Sequence, residues 1–393
     1  MNIKLALRKK AVRLYLQGVS KVEISRRVKR SRRWVYRWLQ RYDHQKSDES
    51  LNDHSSAPKQ TPSPYSQPLK EMVLRLRQER QAGKKSRYEY ALISATAIYY
   101  ELRNLGVAPL PSPRTIHSWL KTAGLITAHH APQKDSNPTY PIIRCQAIND
   151  LHELDLKGPF YLKGYSQKYY LIVLRDVYGK RVALGLLKNK EMSQIIDFLI
   201  TAWRQLGLPK FLQMDNGLEF RGSNLYPRAA SRLVLVCLDL GIKPVFIPTG
   251  EPWRNGVIEN LNALIQRLFL KAKKFETETR LRIETQKLEN RINTTHRLPA
   301  LAGKTPAEFA TRLRLRALPA NYQWQSRDLQ SAKGPVAFVR LVRKSGRITL
   351  TVKDKFLVGK KYKWQYVWAV VLVQQKRLHF YSMGKFIKSV AYR

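Results

Sequence analysis

The spacing of apolar positions in residues 1–44 predicts three short helices. Leu5, Val12 and Leu16 recur at roughly helical intervals, and Ser20 and Ser31 are typical N-caps for the second and third helices. The last helix carries most of the arginines, as in a helix-turn-helix domain whose final helix enters the major groove. The candidate DNA contacts are Arg32, Arg33, Arg37 and Arg41. A three-helix bundle with a solvated basic face is the alternative.

A linker and a second helical domain are predicted next. Residues 45–68 are rich in Ser, Pro, Gln and Asp, which is typical of a linker. Residues 69–130 hold three further helical patterns, and Ser112 before Pro113 marks the start of the last one. We interpret this segment as a second helix-turn-helix domain, although its charge bias is modest. Its candidate DNA contacts are Arg114, His117 and Lys121.

Short strand-like runs replace the helical pattern from residue 142 onward. Residues 142–275 follow the order βββαβαβα, which fits a mixed sheet with helices on its faces and is the order of the ribonuclease H-like fold. Residues 276–333 read as a charged helical connector. Residues 334–393 contain five short strands, which suggests a small β-barrel. The predicted fold class is therefore multidomain, with helical, α/β and small β-barrel parts.

The charge balance points to a polyanionic partner. The chain has 72 Lys and Arg against 28 Asp and Glu, a formal net charge of +44, which favours nucleic acid or an anionic membrane surface. No apolar run approaches the ~20 residues of a spanning helix, and charges interrupt the first residues where a signal peptide would be apolar. Cys145 and Cys237 alone build no disulfide framework or cysteine zinc site. We expect a cytoplasmic, nucleoid-associated protein that acts on double-stranded DNA without a membrane partner.

Three acidic residues are the candidate chemistry of the α/β segment. Asp155 lies in the first strand, Asp215 ends the fourth strand, and Glu259 lies in the first turns of the last helix. Each has an ordinary explanation alone, since Asp-Asn-Gly is a common turn and a helix start favours a carboxylate. In this strand order, however, the first and fourth strands are neighbours, so we expect the three carboxylates to converge. Such a cluster suits two Mg²⁺ or Mn²⁺ ions acting in phosphoryl transfer.

Four segments carry a family resemblance, in order and at compatible spacing. LHELDLKG, QMDNGLEFRG, GIKPVFIPTGEPWRNGVIENLN and NTTHRLPALAGKTPAEF resemble the signature of bacterial insertion-sequence transposases in the retroviral-integrase (DDE) superfamily. The resemblance implies that Asp155, Asp215 and Glu259 are both the catalytic triad and the metal ligands. It implies that Asn262 and Gln266 face DNA near the active site. Arg254, just before that helix, is a further candidate DNA contact.

Two departures from the family pattern are visible. The His and Cys zinc module that begins retroviral integrases is absent, which favours a transposase with a helix-turn-helix front. Between Asp215 and Glu259 there are 43 residues, more than in compact versions of the motif, and the loop GSNLYPRAAS accounts for the extra length.

The function implied by the resemblance is DNA transposition. A homo-oligomer on DNA would cleave the 3′ ends of the transposon and transfer them into target DNA (DNA integration and recombination). Three alternatives stay open: a catalytically silent DNA-binding protein derived from a transposase, a nuclease that only cuts, and a catalytic subunit that needs accessory transposition proteins.

Overall fold

The computed structural model describes residues 3–53, 63–126, 139–226, 228–311, 313–324, 333–351 and 354–392. The chain divides into two compact units, Met1–Pro64 and Tyr65–Arg393. Part of the predicted linker and the last residues of the predicted second helical domain lie outside the described residues.

The first unit is a three-helix domain with its own core. Its helices are α1 (Ile3–Leu16), α2 (Lys21–Arg27) and α3 (Arg32–Gln45), followed by a 3₁₀ turn at Asp48–Leu51. The hydroxyls of Ser20 and Ser31 accept hydrogen bonds from the third residue beyond each, as N-caps do, which confirms both predicted helix starts. Apolar side chains from all three helices meet in one cluster that includes Val12, Ile24 and Leu39.

The second unit begins with another group of three helices. They are α4 (Gln67–Ala82), α5 (Ala95–Asn104) and α6 (Pro113–Thr122). Ile98, Leu102, Ile116 and Leu120 are fully buried among them, and Ser112 caps α6 as predicted.

A mixed sheet follows, and its topology confirms the predicted ribonuclease H-like order. Its elements are β1 (Leu151–Tyr161), β2 (Lys168–Asp176), β3 (Val182–Leu187), α7 (Met192–Leu206), β4 (Phe211–Met214), α8 (Leu218–Arg221), α9 (Arg232–Asp239), β5 (Lys243–Phe246) and α10 (Gly256–Ile265). β1 to β3 form an antiparallel meander, while β4 pairs parallel with β1 and β5 parallel with β4. The strands that carry or precede Asp155 and Asp215 are therefore neighbours in the sheet.

Helices cover both faces of this sheet. α7 and α9 pack on one face around Trp203, which is fully buried. On the other face lie α10, a π-helical continuation at Gln266–Leu270, and α11 (Glu278–Thr295), packed around Phe269 and Leu288. α11 also closes the β3 edge, because the Asn293 side chain pairs with both the N–H and the carbonyl of Val182. Such side-chain pairing removes an open sheet edge that could otherwise recruit another strand.

The C-terminal segment contains the predicted strands, but they extend the core sheet. After α12 (Pro306–Ala310) come β6 (Pro335–Leu341), β7 (Arg347–Thr349), β8 (Lys355–Leu357), β9 (Tyr366–Leu372), β10 (Arg377–Ser382) and β11 (Lys385–Ala391). β6 pairs parallel with β5, and β9, β10 and β11 follow, so one nine-stranded sheet runs from β3 to β11. Only β7 and β8 form a separate two-stranded sheet among the described residues.

This arrangement differs from the separate, closed β-barrel that the strand pattern suggested. The physical reason is that β5 would otherwise be an open edge of the core, and β6 brings apolar side chains to it. Phe338 of β6 stacks on Phe246 of β5 with ring centroids 5.0 Å apart, inside the hydrophobic cluster that also holds Trp203. The C-terminal strands therefore share a core with the ribonuclease H-like segment.

Within the part of the chain that the structure describes, no helix combines the length and the apolar character needed to cross a membrane.

A buried carboxylate fastens the second group of helices to the core. Glu284 of α11 is fully buried and accepts hydrogen bonds from Tyr90, Lys273 and Lys287, while Arg280 pairs with it at 2.9 Å. Burial alone would raise the pKa of Glu284, but the hydrogen bonds from Lys273, Tyr90 and Lys287 lower it to about 2. Ionised Glu284 is therefore stabilised in the folded protein relative to the unfolded chain.

We expect Glu284→Gln to lower the free energy of unfolding by on the order of 3 kcal/mol at pH 7. The folded pKa lies below the unfolded value, so this stabilisation is present above pH ~4.5 and is lost as the pH falls toward 2. Denaturant unfolding of both proteins at pH 7, 4 and 3 measures the difference, which should shrink to less than half by pH 3. Glu276→Gln, an exposed carboxylate, is the matched control; a difference that is constant with pH would contradict the prediction.

Candidate active site

Asp155 and Asp215 lie side by side on the two adjacent strands. β1 and β4 pair in parallel with Glu153 opposite Gln213, so two residues further on Asp155 reaches the level of Asp215, just beyond the end of β4. Burial raises the pKa of Asp215, and the charges of Asp155 and Glu219 raise it further against the lowering effect of a backbone N–H. The two carboxylates are therefore close enough to repel each other.

A tight turn holds the second of these carboxylates. The N–H of Gly217 donates to the Asp215 carboxylate at 2.8 Å, and Glu219 lies beside it, paired with Lys190 at 2.8 Å. A Cβ at position 217 would lie 2.7 Å from the Glu219 carboxyl group and 3.0 Å from the Asp215 oxygen. Glycine is therefore required where the chain brings these two acidic side chains together.

Glu259 approaches the pair on α10. It is half-buried, one helical turn before Asn262, so the two side chains share a face of the helix. The Asn262 amide donates to the Asp155 carboxylate at 2.5 Å, which joins α10 to β1 at the candidate site. Asn262 is buried and contacts Asp155, whereas the resemblance implied that it faces DNA.

The carboxylates do not close into a three-residue metal cage. Among the residues that the structure describes, no three His, Cys, Asp or Glu side chains lie close enough together to hold a metal ion. The structure thus brings Asp155 and Asp215 together and places Glu259 on the adjoining helix.

The donor set at this point nevertheless fits a divalent cation. The Asn262 side-chain oxygen is buried without a hydrogen-bond partner, beside the Asp155 carboxylate that the same amide contacts. An unpartnered oxygen and two repelling carboxylates are hard donors of the kind that Mg²⁺ prefers. A bound cation would offset both the repulsion and the unsatisfied oxygen.

Glu153 is a functional candidate that the sequence interpretation missed. It lies two residues before Asp155 on the same face of β1 and is buried. Its carboxylate accepts the Ile258 N–H at 2.7 Å, in the first turn of α10. Gln213 of β4 lies against the same carboxylate and donates to Asn255 just before that helix at 2.8 Å. The rarity of charges in strands, which drew attention to Asp155, applied equally to Glu153.

Arg340 is a second residue that the sequence did not reveal. From β6 its buried guanidinium donates to the backbone carbonyls of Ile247 at 2.8 Å and Leu350 at 2.9 Å, and to the Asn216 side chain at 2.5 Å. The Asn216 amide in turn donates to the Ile247 carbonyl at 2.6 Å. The turn that carries Asp215 is therefore held by a residue of the C-terminal strands, and burial lowers the pKa of Arg340 to about 10.

The predicted DNA contacts on the two helical groups are mostly solvent-exposed. On α3 and α6 the exposed members are Arg32, Arg33, Arg37, Arg114, His117 and Lys121. Arg41 is half-buried, donates to the Asn52 carbonyl at 2.8 Å and lies over the ring of Trp38.

The two remaining predicted contacts lie at the core. Arg254 pairs with Glu251 at 2.9 Å, donates to the Tyr366 hydroxyl at 3.0 Å and stacks 4.1 Å from the Tyr140 ring centroid. These contacts commit its guanidinium to the protein interior rather than to an open surface. Gln266 is half-buried and lines a cavity at the end of α10.

A family model described as a homeodomain-like domain matches residues 2–51. The first unit is a homeodomain-like helix-turn-helix. Its third helix is α3, whose exposed arginines were predicted as DNA contacts.

Solved structures with a likeness to this chain include retroviral integrases. The catalytic core of HTLV-2 integrase, in complex with magnesium, is 22% identical over 42% of this chain and 99% of its own, with a TM-score of 0.32. The simian T-cell lymphotropic virus intasome, in complex with the PP2A regulatory subunit B56 gamma, is 17% identical over 75% of this chain and 96% of its own, with a TM-score of 0.38. The catalytic core of BIV integrase is 19% identical over 41% of this chain and 92% of its own, with a TM-score of 0.31.

No curated protein matches the chain. At the identities and TM-scores above, neither the activity nor the ligands of those integrases transfer to this chain.

The position of Glu153 makes a prediction about pH. Burial raises its pKa to about 7, against the lowering effect of the Ile258 N–H and Arg175. Ionisation of Glu153 therefore costs stability in the folded protein: the cost is absent below the unfolded pKa of about 4.5 and complete above pH ~7.

Glu153→Gln cannot ionise, so its free energy of unfolding relative to wild type should rise by up to ~3 kcal/mol between pH 4.5 and pH 8. Denaturant unfolding at four pH values across this range measures the rise. The exposed-site variant Glu276→Gln should show none, and a flat difference for Glu153→Gln would refute the pKa assignment.

Proposed function

We propose that the protein is a DDE-type DNA transposase, which cleaves the 3′ ends of transposon DNA and transfers them into target double-stranded DNA. One observation carries the proposal: Asp155 and Asp215 lie together on neighbouring strands of a ribonuclease H-like sheet, with the Glu259 helix bonded to Asp155 through Asn262. The net charge of +44 supports a polyanionic substrate.

Asp155, Asp215 and Glu259 would hold the metal, as two Mg²⁺ or Mn²⁺ ions. When bound, such ions activate the attacking oxygen and stabilise the leaving oxygen of an in-line displacement at phosphorus. The chain itself orients the carboxylates: Asn262 holds Asp155, and the contact between Arg340 and Asn216 holds the turn of Asp215. Attack by water and then by a 3′ hydroxyl needs no covalent protein–DNA intermediate.

The surrounding segments have assigned parts in this proposal. Residues 1–44 and 69–130 recognise the DNA ends, joined by a linker at residues 45–68. Residues 142–275 are the catalytic core, residues 276–333 connect it to the C-terminal strands of residues 334–393, and those strands add a basic surface. Because two DNA ends must be joined in one event, the active form is a homo-oligomer on DNA. Accessory transposition proteins are compatible with this assignment.

Strand transfer from a pre-cleaved end in Mg²⁺ tests the proposal. The substrates are oligonucleotides with the inverted repeats that flank the gene. Asp155→Asn, Asp215→Asn and Glu259→Gln should each lose on the order of 10²–10³-fold in rate or more, because charge stabilisation at the reacting phosphate is lost. Glu276→Gln, an exposed carboxylate, should keep the wild-type rate. Normal strand transfer by Asp155→Asn would rule out the proposal.

A DNA-binding protein without catalysis is the second candidate. It is favoured by one observation, that Glu259 completes no three-carboxylate group among the described residues. Wild-type protein that binds the ends but forms neither cleaved nor joined product in Mg²⁺ or Mn²⁺ would decide for it.

A further inference from the structure

A basic cavity lies next to the candidate active site. It has a volume of about 650 Å³ and is enclosed by the second half of β1, the π-helical end of α10 and the segment that follows. Four lysines line it: Lys157, Lys163, Lys273 and Lys274. Of the residues that the structure describes, those lining the cavity include no Asp or Glu.

Most of this positive charge is not neutralised by the protein. Lys273 pairs with Glu89 and Glu284 behind the cavity. Lys163 has only a 3.9 Å contact with Glu276, between two largely exposed side chains, and such a pair contributes almost nothing. Lys157 and Lys274 make no ion pair with any carboxylate of the described residues. Lysines gathered around a concavity without acidic partners repel one another, and an anion would relieve that repulsion.

The cavity opens beside Asp155 along two elements. Lys157 follows Asp155 by two residues on β1, so both side chains point to the same face of the strand, about 7 Å apart along it. A β-bulge interrupts the pairing of β1 with β2 directly after Lys157, and bulges re-aim side chains near functional sites. Gln266 follows Asn262 by one turn of the helix, and Asn262 is bonded to Asp155.

We propose that this cavity binds a backbone phosphate of the DNA strand whose neighbouring phosphate reacts at Asp155 and Asp215. Lys157 and Lys274 supply the charge, and the Gln266 amide supplies a hydrogen bond. Lysine ammonium groups bind phosphate as point charges, and the contact releases counterions from the DNA. The identity of the bound group as the strand next to the reacting phosphate rests on the proposed function.

The salt dependence of DNA binding tests the cavity. The probe is a fluorescent random-sequence duplex of about 30 base pairs, titrated in EDTA at roughly 50 to 200 mM KCl. Lys157→Gln and Lys274→Gln should each reduce the slope of log K against log[KCl] by about 0.9, and the double variant by about 1.8. Lys243→Gln is the matched control, because Lys243 is exposed at the start of β5, the opposite end of the sheet from Asp215. Its slope should equal that of wild type.

A conservative variant separates charge from folding. Lys157→Arg keeps the charge and should restore the slope, whereas a fold defect would lower affinity in both Lys157 variants. Unchanged slopes in Lys157→Gln and Lys274→Gln would overturn the inference, as would an equal loss in Lys243→Gln.

The two proposals fail separately. An active Asp155→Asn together with reduced slopes in the cavity variants would refute the transposase chemistry and leave a DNA-binding cavity. Loss of strand transfer in Asp155→Asn with unchanged slopes in the cavity variants would refute the cavity alone.

Discussion

The candidate site depends on how one buried carboxylate joins a strand to a helix. Glu153 lies in β1 and accepts the first free N–H groups of α10, where the helix dipole favours a negative charge. Because Asp155 follows on the same strand and Glu259 on the same helix, this contact sets the distance between two of the three acidic residues. The Asn262–Asp155 hydrogen bond repeats the connection one turn deeper. Burying a carboxylate here costs stability, which indicates that the position of α10 is worth that cost.

The third acidic residue is positioned from a different part of the chain. Asp215 ends β4, and the turn after it would be free to move if only local contacts held it. Arg340 prevents this by joining Asn216 to the carbonyls at the end of β5 and in β7. The C-terminal strands are therefore part of the scaffold of the site, and the shared core around Phe246 and Phe338 explains why they do not form a body of their own.

Charge is distributed unevenly around this scaffold. Buried basic groups such as Arg340 and Lys273 are satisfied by carbonyls or carboxylates, and Arg254 is held between Glu251 and two tyrosines. The arginines on α3 and the lysines around the cavity beside Asp155 are left for solvent or for an anion. This contrast distinguishes basic residues that stabilise the fold from those available to a polyanion, which net charge alone does not do.

Local pattern in the sequence determined the elements and their order. Caps such as Ser31 and Ser112, helical spacing and alternating strands depend on neighbouring residues only, so the helix starts and the ribonuclease H-like order could be predicted. The pairing of β1 with β4, and with it the meeting of Asp155 and Asp215, followed from that order.

Contacts between residues distant in the chain were decided only by the tertiary structure. The sequence suggested a separate barrel, because strand patterns do not show which edge a strand joins, and β6 joins β5. It offered Arg254 and Asn262 as DNA contacts, but packing placed both among internal partners. Glu153 and Arg340 drew no attention, since a single charged residue in a strand shows its role only when the groups that surround it are known.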